Sequence, residues 1–145
     1  MIVVADASVL VTALTRFDAE GARLRSWLSA LSDGAPIDVV RNLTKLECIS
    51  ALRRLNYSGH LTDVVAEDAI RNLALLPHRA HEVTQPMAVR IWELRRNLTA
   101  YDAAYVALVE RLLSVEGDAL LATSDAKLAT APGLSIPVEL FTGET

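Results

Sequence analysis

The stretch Met1-Ile-Val-Val-Ala-Asp-Ala-Ser-Val-Leu-Val-Thr-Ala-Leu14 decides how the rest of the chain is read. Ile2 to Ala5 is a short, uncharged, β-branched run, the pattern of a strand buried on both faces of a parallel sheet. It stops at Asp6, and after Ser8 the apolar pattern continues in a form that suits a helix start. A carboxylate therefore stands where a buried strand emerges at its carboxyl end, the edge at which open α/β sheets bind ligands. The same place also suits a plain structural role, because Asp6 or Ser8 can cap the following helix.

Outward from that stretch, strands and helices alternate. Residues 17–31 place Leu24, Trp27, Leu28 and Leu31 at helical spacing, closed by Asp33-Gly34. Residues 36–40 form a second apolar run. Residues 42–57 read as a helix with Leu43, Leu46, Ile49, Leu52 and Leu55 as its apolar members. Thr62 suits the N-cap of a helix reaching about residue 76, and residues 79–83 make a polar third strand. Thr84-Gln85-Pro86 opens a helix to about residue 96, and Thr99 caps another through residue 113. Residues 119–123 are a buried fourth strand, 125–131 a short helix and 136–140 a last strand. This alternation predicts a parallel sheet with helices on both faces, its right-handed crossovers gathering the strands' carboxyl ends on one edge.

The composition bounds the rest. A chain of 145 residues is one domain, expected over 1–141 with a fraying tail at 142–145. At 52% hydrophobic and 22% charged it is globular, and no apolar run reaches the length of a membrane span. The apolar start lacks a basic flank and contains Asp6, so it does not read as a secretory signal. Cys48 is the only cysteine, which rules out an internal disulfide and makes a reducing cytoplasm the expected location. A net charge of −4 speaks against nucleic-acid binding through a broad basic surface, though not against an acidic site that works through metal ions.

Four carboxylates occupy unusual places: Asp6 after strand one, Glu47 within an apolar helix, Asp102 near the start of another, and Asp125 after strand four. Each has a bland alternative. Glu47 can be solvated, Thr99-Ala-Tyr-Asp102 can be a capping-box variant, and Asp125 can cap a short helix. The topology nevertheless sends Asp6, Asp102 and Asp125 to one edge. Four carboxylates in one cleft repel each other unless a cation neutralises them, and all-oxygen ligands suit Mg²⁺ or Mn²⁺.

The stretches Val4-Ala-Asp-Ala-Ser-Val-Leu10, Leu46-Glu-Cys-Ile-Ser-Ala-Leu-Arg-Arg54, Trp92 to Leu108 and Leu121-Ala-Thr-Ser-Asp-Ala-Lys-Leu128 resemble, in order, those of PIN-domain ribonucleases, specifically VapC-like toxins of type II toxin–antitoxin pairs. The resemblance implies a three-layer fold with a five-stranded parallel sheet in the order 3-2-1-4-5, and a homodimer. It implies a metal-dependent endoribonuclease with a cognate antitoxin, its acidic quartet on Asp6, Glu47, Asp102 and Asp125 and its supporting hydroxyls on Ser8 and Thr123.

Rival readings are a silent module that only binds a partner protein, or a phosphoryl-transfer domain of similar topology. A dehalogenase-like phosphatase wants a second Asp where this chain has Ser8, and a receiver-like domain wants adjacent acids where Asp6 has Ala5 and Ala7. Arg53, Arg54, Arg90, Arg95 and Arg96 can guide phosphates or simply solvate helix faces. His78 and His81 lie three apart on a strand, on opposite faces, so a zinc site is not expected. Trp27 and Trp92 read as core. Tyr101 and Tyr105 read as packing or dimer contacts rather than base-stacking groups.

Overall fold

The computed structural model describes residues 1–143. Strands β1 (Ile2–Ala5), β2 (Ile37–Val40), β3 (His78–His81), β4 (Ala119–Thr123) and β5 (Val138–Leu140) form one sheet in the order β3-β2-β1-β4-β5, with every neighbouring pair parallel. Helices α1 (Ala7–Thr15), α2 (Ala19–Ser32), α3 (Leu43–Tyr57), α4 (Asp63–Leu75), α5 (Gln85–Glu93), α6 (Ala100–Glu116) and α7 (Ala126–Ala129) make the connections. The expected α/β fold and strand order are both present.

Side chains alternate across the strands and separate two cores. Val4, Val40, Ala119 and Leu121 face α5 and α6, where Met87, Leu94, Tyr105 and Leu108 are buried. Val3, Ala5, Ile37, Val39, Leu120 and Ala122 face the other way, against Val9, Leu10, Leu24 and Leu52 of α1 to α3. A fully buried Val or Leu contributes about 1.5–3 kcal/mol, so a sheet covered on both faces needs the near-continuous apolar runs that the sequence supplies.

Several boundaries move for identifiable reasons. Asp18 accepts the Gly21 N–H at 3.1 Å and starts α2 at Ala19, leaving Phe17 outside and exposed. In α3 the buried stripe is Thr44, Cys48 and Leu52, and Leu46, expected among its apolar members, is 66% exposed. Burial pushes the Cys48 thiol up to about 12, so it stays protonated and inert. Strand β3 starts one residue and ends two residues earlier than expected, and α5 stops at Glu93. Trp92, expected in the core, is 66% exposed, because α5 turns Met87, Ile91 and Leu94 inward instead; the Arg95 guanidinium lies 4.3 Å from its ring centre. Trp27 does pack inward, against Phe141. Of the tail expected to fray, residues 144–145 lie outside the described residues, while the Gly143 carbonyl accepts from Arg23 Nη2 at 2.5 Å.

Candidate active site

Asp6 follows β1 directly and is almost wholly buried. Its Oδ1 accepts from Ser8 Oγ at 2.5 Å and from the Val9 N–H at 3.3 Å, which caps α1. Its Oδ2 accepts from Thr123 Oγ1 at 2.5 Å, at the end of β4. The two hydroxyls also accept, Ser8 Oγ from the Ser124 N–H at 2.9 Å and Thr123 Oγ1 from the Asp125 N–H at 3.0 Å. Each hydroxyl has one proton, and both protons go to Asp6, so the 3.5 Å approach between Ser8 and Thr123 carries none. The ends of β1 and β4 are thus pinned together through one carboxylate held by neutral donors.

The other acids arrive from separate elements. Asp125 caps α7, accepting from the Lys127 and Leu128 N–H groups at 2.9 and 3.3 Å. Asp102 lies in the first turn of α6, whose cap is Thr99 Oγ1 accepting the Asp102 N–H at 3.1 Å. Glu47 lies one turn into α3, which leaves β2 through Asn42 at φ 67°. A positive φ is rare outside glycine. For Asp6 and Asp125 the capping role and the clustering are therefore not alternatives: helix starts gathered on one sheet edge bring their capping acids together.

The four carboxylates line one cleft of about 270 Å³, with Ser8, Ser50, Arg54 and Tyr105. Thr123 lies behind Asp6, fully buried. Burial lifts the Asp6 carboxyl above its ordinary range, opposed by the hydrogen bonds from Ser8, Thr123 and Val9. Glu47 is lifted by burial against its hydrogen bond from Tyr105, and further by the charges of Asp102 and Asp6. Asp102 is lifted by burial and by the charge of Asp125, opposed by Thr99. Among the described residues no Lys, Arg or His forms an ion pair with any of the four. Arg54, the one arginine lining the cleft, donates to Ser50 Oγ at 3.1 Å, and Arg90 is taken by Glu110 and Glu93.

Two side chains in this network were not legible as functional. Tyr105 Oη lies 2.6 Å from Glu47 Oε1 and 3.1 Å from Thr44 Oγ1, and Thr44 Oγ1 accepts the Val40 N–H at 3.1 Å. Burial and the neighbouring Glu47 carboxylate push the phenol far up, so it stays a donor. The available signal was helical spacing: Thr44 is three residues before Glu47 and Tyr105 three after Asp102, on shared faces.

Among the described residues no three His, Cys, Asp or Glu side chains are gathered tightly enough to cage a metal ion. The donors that line the cleft are oxygens, however, and its acids lack a cationic partner. That set fits a hard ion held by one or two carboxylates and otherwise hydrated, the usual mode of Mg²⁺, rather than a closed site.

No protein-family model matches the chain. It is 34% identical over 137 residues to ribonuclease VapC1 of Mycobacterium tuberculosis, covering 94% of this chain and 96% of that one. It is 31% identical to ribonuclease VapC3 of the same organism over 129 residues, 89% of this chain and 86% of the relative. Among solved structures, VapBC2 from Rickettsia felis bound to a promoter DNA fragment matches at a TM-score of 0.64 and 12% identity, covering 97% of this chain and 99% of that chain. At that identity the likeness concerns the fold alone. No helix among the described residues is long and apolar enough to cross a membrane.

Proposed function

The chain belongs to the VapC-like family of PIN-domain ribonucleases, and on that premise we propose that it is a metal-dependent endoribonuclease, the toxin of a cytoplasmic toxin–antitoxin pair. The observation that carries this reading is the convergence of Asp6, Glu47, Asp102 and Asp125 on one cleft without a cationic partner. Asp6, Glu47 and Asp102 would hold Mg²⁺, or Mn²⁺ in its place, directly or through water, with Asp125 completing the set. Such an ion supplies neutralising charge for the transition state and acidifies coordinated water.

The chain's own residues do the positioning. Ser8 and Thr123 fix both oxygens of Asp6, so that acid keeps one orientation. Tyr105 holds Glu47 toward the cleft. His60, His78 and His81 are absent from the cleft lining, which speaks against a mechanism in which histidines activate the RNA's own 2′-hydroxyl. The proposed reaction is in-line attack of water on phosphorus, leaving a 3′-hydroxyl and a 5′-phosphate. End-labelling of the fragments tests it: those ends are expected, with cleavage lost in EDTA and restored by Mg²⁺ or Mn²⁺. Cyclic-phosphate ends or full activity in EDTA would overturn it.

The same cleft explains inhibition, since an arginine of a bound antitoxin can pair with these acids and displace the ion. Purified antitoxin complex is therefore expected to be inactive and to regain cleavage when the antitoxin is removed. Assembly as a homodimer belongs to the same proposal and is checked by light scattering.

A further inference from the structure

We propose that Tyr105 is a positioning residue for the acidic cleft: its buried hydroxyl donates to Glu47 and holds that acid where an ion can meet it. The inference rests on the metal-dependent reading of the cleft. It concerns a residue that is not itself a cleft acid.

The direction of the Glu47 bond follows from counting protons. Tyr105 Oη has two acceptors within reach, Glu47 Oε1 at 2.6 Å and Thr44 Oγ1 at 3.1 Å, and only one proton. The carboxylate is the closer and, being charged, the stronger acceptor, so the proton goes to Glu47. Thr44 Oγ1 instead accepts the Val40 N–H at 3.1 Å. A bond to a carboxylate is stronger out of water, and Tyr105 is 1% exposed.

The Tyr105 bond answers a problem that Glu47 poses. Its side chain has three rotatable bonds, it is only half-buried, and the Asp6 and Asp102 charges repel it. A glutamate in that situation turns toward water unless a donor retains it. Asp6 is retained by two hydroxyls and a backbone N–H. Tyr105 is the side chain that donates to Glu47. Because Tyr105 stands on α6, one turn beyond Asp102, the bond also sets the separation between the two acids contributed by α3 and α6.

The test measures Mg²⁺ affinity from the melting temperature of the metal-free protein as the ion is titrated, alongside cleavage rates at low and saturating Mg²⁺. Tyr105→Phe removes only the hydroxyl. It should weaken Mg²⁺ half-saturation by on the order of ten- to a hundredfold, the range for losing a hydrogen bond to a charged group. Cleavage at saturating Mg²⁺ should recover most of the wild-type rate. In a Glu47→Gln background, Tyr105→Phe should add little. Unchanged half-saturation in Tyr105→Phe, losses that add independently of Glu47, or a loss confined to thermal stability would each overturn the positioning role while leaving the metal reading intact. A wild-type chain that no divalent ion stabilises would overturn both.

Discussion

Asp6, just past the end of β1, and Asp38, within β2, are both buried carboxylates on one sheet, and they are partnered in opposite ways. Asp38, in the middle of β2, meets Arg79 and His81 of the edge strand β3: Arg79 Nη2 is 3.1 Å from Oδ1 and His81 Nε2 is 2.5 Å from Oδ2. Its negative charge is answered by the protein itself. Asp6 sits one residue past the end of β1 and receives only hydroxyl and amide protons. Its charge is oriented but not neutralised, and three more acids share its cleft. Partner chemistry, rather than burial, separates the two. An acid closed by an arginine and a histidine ties an edge strand to the sheet; an acid held by neutral donors among other acids leaves room for an external cation.

The widest separation between the two should appear on removing Asp38. Asp38→Asn leaves Arg79 and His81 without their acid. Breaking a buried pair costs about 3–5 kcal/mol, and the half-exposed Arg79 can turn to water, so a loss near about 2–3 kcal/mol is expected. For a chain of this size that lowers the melting temperature by roughly 5–10 °C. The stabilisation by Mg²⁺ should not change. A Mg²⁺ response that shrinks with Asp38→Asn would mean that the two carboxylates are not independent.

Removing a cleft acid should do the reverse. Asp102 is held above its ordinary range by burial and by Asp125, so its ionised form is strained in the metal-free protein. Asp102→Asn relieves that strain and should stabilise the metal-free fold by about 1 kcal/mol, while reducing the Mg²⁺-induced rise. A lower metal-free melting temperature with an intact Mg²⁺ response would reduce Asp102 to a helix cap.

The contrast also shows what the sequence could disclose. Asp6, Asp102 and Asp125 were legible because topology alone sends strand ends and helix starts to one edge. Residues 119–123, Thr62 and Thr99 were legible from local pattern and capping chemistry. Asp38 was not, because its partners lie 41 and 43 residues away and depend on strand register. In α3 the eye goes to Leu46, but small Thr44 and Cys48 are what fit beneath the helix, and Thr44 is buried because it caps the Val40 N–H. Trp92 failed for a related reason: periodicity identifies an amphipathic helix, but on nine-residue α5 the stripe through Met87 and Ile91, continued by Leu94 at the C-cap, passes it by.

The smallest effect is a pH dependence whose sign follows from the cleft. Asp6, Glu47 and Asp102 all have folded-state pKa values raised above those of the unfolded chain. Between the unfolded and folded values the native chain binds more protons, so this contribution is full below the unfolded pKa and is lost as pH rises through the folded pKa. Asp18, held low by Arg16, works the other way: its contribution is present above its unfolded pKa and lost only as pH falls through its still lower folded value. The metal-free melting temperature should therefore rise modestly as pH falls from neutral into the ordinary carboxylate range, below which exposed pairs such as Arg16–Asp18 begin to fail. Bound Mg²⁺ needs ionised carboxylates, so the gap between the curves with and without the ion should close over the same interval. In Asp102→Asn the metal-free rise should be smaller, because one of the three contributing groups is gone. A metal-free rise that is the same in Asp102→Asn as in wild type would mean that the strain in the cleft does not pass through Asp102.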